Sequence, residues 1–97
     1  MKLVILPLAL GELHDAAAFY AAIANAKLGL AFVAEFDRAV SGILANPFAG
    51  AIFRETRRRY VLRRFPYSVF YQIAADEIRV VAVAHHRRRP SYWVGRR

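Results

Sequence analysis

The chain has no cysteine, which excludes disulfides and thiolate metal centres. It has only two lysines, against thirteen arginines. No apolar run approaches the roughly 20 residues that a membrane-spanning helix requires. There is no internal repeat, low-complexity tract or Pro/Gly/Ser-rich linker, so residues 1–97 read as a single domain. Met1-Lys2 and the run Leu3 to Leu10 superficially resemble the start of a signal peptide. Pro7 interrupts that run, and Glu12, His14 and Asp15 separate it from Ala16-Ala17-Ala18. A cytoplasmic location without membrane attachment is therefore expected.

Acidic residues are scarce where basic ones are dense. Residues 1–53 hold Lys2, Lys27 and Arg38 against Glu12, Asp15, Glu35 and Asp37, a balance of −1. Residues 54–97 hold twelve arginines against Glu55, Asp76 and Glu77, a balance of +9. A field of this sign implies an acidic or polyanionic partner, unless it is only a solvated face. The preference for arginine favours recognition, because its planar fork suits phosphate and carboxylate while lysine would solubilise equally well.

The hydrophobic content of 58% is high, and much of the excess is alanine between Ala9 and Ala51, as expected for helix packing. Lys2 to Leu6 is a short β-type run ended by Pro7. Helical spacing follows from Leu8 to Ala24, with Leu10, Leu13, Ala17, Tyr20 and Ala24 on one face. Asn25 to Gly29 reads as a turn. A second helix is expected over Leu30 to Ala45, with Phe32/Val33, Phe36, Val40 and Ile43/Leu44 as its apolar stripe and Glu35 off it. Asn46-Pro47 stops it. Phe48 to Thr56 reads as loop. Three strands follow: Arg58 to Phe65, Tyr67 to Ala74 and Glu77 to Ala84. The last is apolar on both faces except Arg79, as a central strand would be. The short Ala75-Asp76 connection makes the last two a hairpin. The expected architecture is α+β, in the order β-α-α-β-β-β, with a helical hairpin packed on a mainly antiparallel sheet.

The final third carries the residues with chemistry: His85-His86-Arg87-Arg88-Arg89-Pro90, then Tyr92-Trp93. On a strand over Arg58 to Phe65 and its approach, Arg57, Arg59 and Arg63 would share one face, and Arg58 and Arg64 the other. His85 and His86 face apart and have no third ligand spaced to join them, so no metal site is expected. His14, near Glu12 and Asp15, reads as a surface residue.

In this order the segments resemble the RelE/ParE superfamily of bacterial type II toxins. The resemblance covers nearly the whole chain. It comprises the first strand, the hairpin with Phe19-Tyr20, Leu28-Gly29 leading into Phe32, and Asn46-Pro47 closing the second helix. It continues with Phe65-Pro66-Tyr67, Val69-Phe70-Tyr71, Val81-Ala82-Val83, and His85 with Arg88, Pro90, Tyr92 and Trp93. The resemblance implies a small basic toxin of the plasmid-stabilisation kind. Its partner would be a cognate antitoxin that wraps an acidic, partly disordered segment around it in a hetero-oligomer, with no cofactor. Arg57, Arg59, Arg63, Arg64, Arg88, Arg89 and Trp93 are the candidate residues for binding antitoxin or target.

Two mechanisms occur among such toxins: ParE-like inhibition of DNA gyrase, and RelE-like, ribosome-dependent, metal-independent cleavage of mRNA. Cleavage needs a group to take the 2′-hydroxyl proton, a group to protonate the leaving 5′-oxygen, and fixed positive charge at the phosphate. His85, Arg87 and Tyr92 are the candidates, with Trp93 available to stack on a base. The nuclease branch often places an arginine beside the tyrosine equivalent to Tyr67, and here that position is Ser68. It also tends to carry lysines where this chain has Arg57, Arg58 and Arg59, which remain charged and accept protons poorly. These departures favour the gyrase reading. Each candidate also has a structural reading: His85 as a strand-end hydrogen-bonding residue, Tyr92-Trp93 as an aromatic plug over the sheet. A non-toxic nucleic-acid-binding module is the third class. Against it, both helices are near neutral and the arginines lie on strands and tail.

Overall fold

The computed structural model describes residues 1–96. Strand β1 (Lys2–Ile5) leads into helix α1 (Pro7–Ile23). Pro7 opens the helix, because its missing N–H and fixed φ suit a first turn. Helix α2 (Ala26–Ala45) begins four residues before the expected start. Asn25, read from sequence as part of a turn, is its N-cap, its Oδ1 accepting from the Leu28 amide at 3.0 Å. Gly29 lies inside the helix, where a Cβ would stand 2.7 Å from the Ala17 carbonyl oxygen. It serves the close approach of α1 and α2.

Strands β2 (Ala51–Arg54), β3 (Arg57–Val61), β4 (Tyr67–Ala74) and β5 (Glu77–His85) follow, with a 3-10 turn at Pro90–Tyr92. The sheet order is β1-β5-β4-β3-β2. β1 is parallel to β5 and the other pairings are antiparallel. The expected α+β order holds, and β5 is an interior strand. Two boundaries differ. The segment read as loop supplies the edge strand β2, whose turn into β3 places Glu55 at φ 48°. β3 stops at Val61, so Arg63 and Arg64 lie in the bends that follow. The chain leaves the sheet there because Leu62 and Phe65 are buried in the helix-side core and the Arg64 amide donates to the Glu35 carboxylate at 2.7 Å. Glu35, expected off the stripe, is therefore buried.

The helices cover one face of the sheet. Their core contains Ala9, Leu13, Phe32, Phe36, Ile43, Val69, Tyr71, Ile78 and Val80. Helix α1 is rotated slightly from its expected phase, with Ala9, Leu13 and Ala16 inward and Leu10 and Ala24 exposed. Tyr20, Phe32, Phe65 and Tyr67 form an aromatic cluster, Phe32 meeting Tyr67 edge-on at 4.9 Å.

A second, smaller core lies on the opposite face: Phe70, Val81, Ala82, Ala84 and Trp93. The chain after β5 folds back to make it. Arg96 fastens the tail, its guanidinium bonding the Glu12 carboxylate at 2.8 Å and the Val81 carbonyl at 3.1 Å. Glu12 also accepts from the Val83 amide. β1 ends at Ile5, opposite Val80, so this ion pair serves β5 backbone groups that have no strand beside them.

Candidate functional site

The basic residues are sorted into three regions by the end of β5 and the tail. On the helix-free face, the β3–β4 register sets Arg59 opposite Phe70 and Val61 opposite Ser68. Ser68 is fully buried, and its Oγ lies 3.0 Å from both Arg59 Nε and His86 Nε2. The serine thus aims the Arg59 guanidinium and ties down His86, although the imidazole is exposed. Arg59 and His86, with Arg88, edge a notch of about 180 Å³ floored by Phe70 and Trp93.

His85 lines that notch too, and also a second one of about 230 Å³ between β5 and α1 that takes in Glu12, Asp15, Tyr67, Arg88 and Tyr92. The Arg87 amide donates to His85 Nδ1 at 3.0 Å. Neutral His85 therefore carries its proton on Nε2 and has no lone pair free to accept one. Burial first, then the charges of Arg87 and His86, lower its pKa below 6.5. The Tyr92 hydroxyl is buried without a hydrogen-bond partner. Desolvation, and next the neighbouring Glu12 carboxylate, push its pKa up to about 12. Its ring lies under the Arg88 guanidinium at 3.8 Å, a cation–π contact. Arg87 projects from the turn, exposed, and lines neither notch. The sequence trio His85, Arg87 and Tyr92 thus does not converge on one point.

The remaining candidates divide between support and exposure. Arg57 donates to the Arg96 carbonyl at 2.5 Å. Trp93 is 1% exposed, tilted on Phe70 at 4.3 Å and on Phe53 at 6.0 Å, so its indole is a plug over the sheet. Arg89 is exposed just before Pro90. Arg63 and Arg64 belong to the third region, a cleft of about 440 Å³ between α2 and the end of β3. They are separated from Arg59 because β3 ends before them.

Sequence reasoning passed over Ser68 as a bridge, His86 as its partner, and Glu12 with Arg96 as the tail clamp. A strand register through Arg59 and Ser68 could have signalled the first two. Nothing in the pattern pairs Glu12 with Arg96.

A helical hairpin on one face of a five-stranded mixed sheet, with a basic helix-free face and a folded-back tail, defines a small RelE/ParE-like domain. The family model described as the ParE toxin of the type II toxin-antitoxin system, parDE, matches residues 3–90, and the chain belongs to that family. Among solved structures, one titled "Chromosomal ParDE TA system from P. aeruginosa" is similar with a TM-score of 0.78. The likeness covers 88% of this chain and 95% of that one at 22% identity, and it concerns the fold. No curated protein matches. Among the described residues, no helix is long and apolar enough to cross a membrane.

Proposed function

We propose that this ParE-family toxin acts in the cytoplasm by binding DNA gyrase, and that an acidic antitoxin segment neutralises it by occupying its arginine-rich surfaces. The observation that carries the choice of mechanism is the state of the two candidate proton-transfer groups. His85 spends its acceptor nitrogen on the Arg87 amide, and the Tyr92 hydroxyl is buried with its pKa pushed up to about 12. Neither is poised to move a proton near neutral pH. Exposed arginines without carboxylate partners suit protein recognition, where charge complementarity sets encounter rate and specificity. Supercoiling of relaxed plasmid by purified gyrase, titrated with the purified chain, tests the target. Loss of supercoiling, relieved by antitoxin, is expected; full activity with excess toxin overturns the assignment.

RNA cleavage remains the second reading, favoured by one observation. Arg59, His86 and Arg88 bring a titratable ring and fixed charge to one notch, with Ser68 behind it holding the first two. On that reading His86→Ala abolishes cutting of translated messages and His85→Ala does not.

A further inference from the structure

We propose that the cleft between α2 and the end of β3 is a small-molecule site that binds a free phosphate monoester with an apolar or planar body, about the size of a mononucleotide. The site stands apart from the gyrase reading and does not depend on which macromolecule the toxin inhibits.

The first argument is shape. The cleft holds about 440 Å³, within the range of about 300–1,000 Å³ usual for small-ligand sites. It exists because β3 ends at Val61 and the chain then bends inward to bury Leu62 and Phe65. Glu35 fixes that bend from α2, its carboxylate accepting from the Arg64 amide at 2.7 Å. The walls are thus a helix and a pinned bend, and both present guanidiniums to the same space.

The second argument is charge. Arg38, Arg63 and Arg64 line the cleft, and Glu35 is its one carboxylate. Three guanidiniums less one carboxylate leave a charge of +2. Glu35 is 6% exposed and already engaged, with Arg38 at 3.6 Å, so it presents little negative charge to an incoming anion. Arg57, Arg58, Arg59, Arg79 and Arg96 each hydrogen-bond within the chain. Arg63 makes no hydrogen bond or ion pair among the described residues. A carboxylate or a phosphodiester carries one negative charge and would leave the cleft under-neutralised. A phosphate monoester carries about −1.5 to −2 at neutral pH, and its terminal oxygens suit the forks of several arginines.

The third argument concerns the rest of the ligand. Ala39, Tyr60, Val61 and Leu62 line the cleft beside the arginines. Val61 is half exposed, and Tyr60 is half-buried with its hydroxyl 3.3 Å from where a Cβ on Gly42 would stand. Apolar surface left open beside fixed charge suits a ligand with one charged end and one apolar end, as small-molecule sites commonly do. Inorganic phosphate would leave that surface unused.

The test is calorimetric titration of the full chain with AMP, with adenosine and inorganic phosphate as comparators. AMP should bind more tightly than either. Arg63→Gln on the bend and Arg38→Gln on the exposed face of α2 should each weaken AMP binding about tenfold while melting as wild type does. Arg87→Gln removes the same charge far from the cleft and should leave the affinity unchanged. AMP binding no tighter than inorganic phosphate overturns the proposal, as does an equal loss on Arg87→Gln, which marks general charge attraction. A loss on Arg59→Gln with none on Arg63→Gln overturns it in favour of the notch on the helix-free face. A short 5′-phosphorylated RNA that binds where AMP does not overturns it in favour of a nucleic-acid end.

Discussion

Replacing Trp93 with alanine separates a structural tail from a recognition tail. The indole is 1% exposed, with Phe70 at 4.3 Å and Phe53 at 6.0 Å. It is also the only tryptophan in the chain. Truncating a buried Trp to Ala removes its transfer free energy and leaves a cavity, at a cost of about 3–5 kcal/mol. A domain of this size has about 5–15 kcal/mol of stability in total. Each kcal/mol shifts the melting temperature by about 4–8 °C at this chain length, so a drop of about 12 °C or more is expected. Trp93→Phe should recover most of that loss by refilling the site. The assay is thermal unfolding followed by far-UV circular dichroism, with tryptophan emission of the wild type as a control for burial. An alanine variant melting within about 2 °C of wild type would refute the reasoning. Loss of partner binding at unchanged stability would make Trp93 a contact residue instead.

Three further substitutions test other links. Gly29→Ala forces a Cβ to 2.7 Å from the Ala17 carbonyl oxygen, so α1 and α2 must part; a loss of about 1–3 kcal/mol in urea unfolding is expected. Tyr71→Phe deletes a buried hydroxyl that donates to the Pro47 carbonyl at 2.8 Å and accepts from the Gly50 amide at 2.9 Å. It should cost about 1–3 kcal/mol, and an unchanged unfolding midpoint would count against the α2–β2 anchor. His85 has its folded pKa lowered from 6.5, so the unfolded chain binds the proton more readily. Its contribution is present above pH 6.5 and is lost as pH falls through and below that value. His85→Asn should flatten this acid-side fall in stability relative to wild type. An identical pH profile would show that His85 does not contribute to it.

The sequence was most readable where local pattern and local structure coincide. The β4–β5 hairpin follows from alternation in Tyr67 to Ala74 and from a connection too short for anything else. The α2 stripe through Phe32, Phe36, Val40 and Ile43 follows from helical spacing. Reading failed where one residue type serves two purposes. Asn25 and Gly29 look like a turn, yet one caps a helix and the other lets two helices touch. β2 was missed because Ala51-Ile52-Phe53-Arg54 alternates weakly and becomes a strand only through its neighbour β3. The candidate site was legible as a composition, arginines and histidines at one end of a sheet, but not as an arrangement. Ending β3 at Val61 sent Arg63 and Arg64 to a cleft away from Arg59. The clamp between Glu12 and Arg96 joins residues 84 positions apart, beyond any periodicity.

Mapping new RNA 5′ ends across the transcriptome, minutes after inducing the chain without an antitoxin, tests the central claim most directly. The account predicts growth arrest with messages intact and signs of DNA damage, as expected of a toxin that binds gyrase. Abundant in-frame cuts within translated messages, lost on His86→Ala, would contradict it and make the Arg59–Ser68–His86 notch the seat of an RNA-cleaving activity.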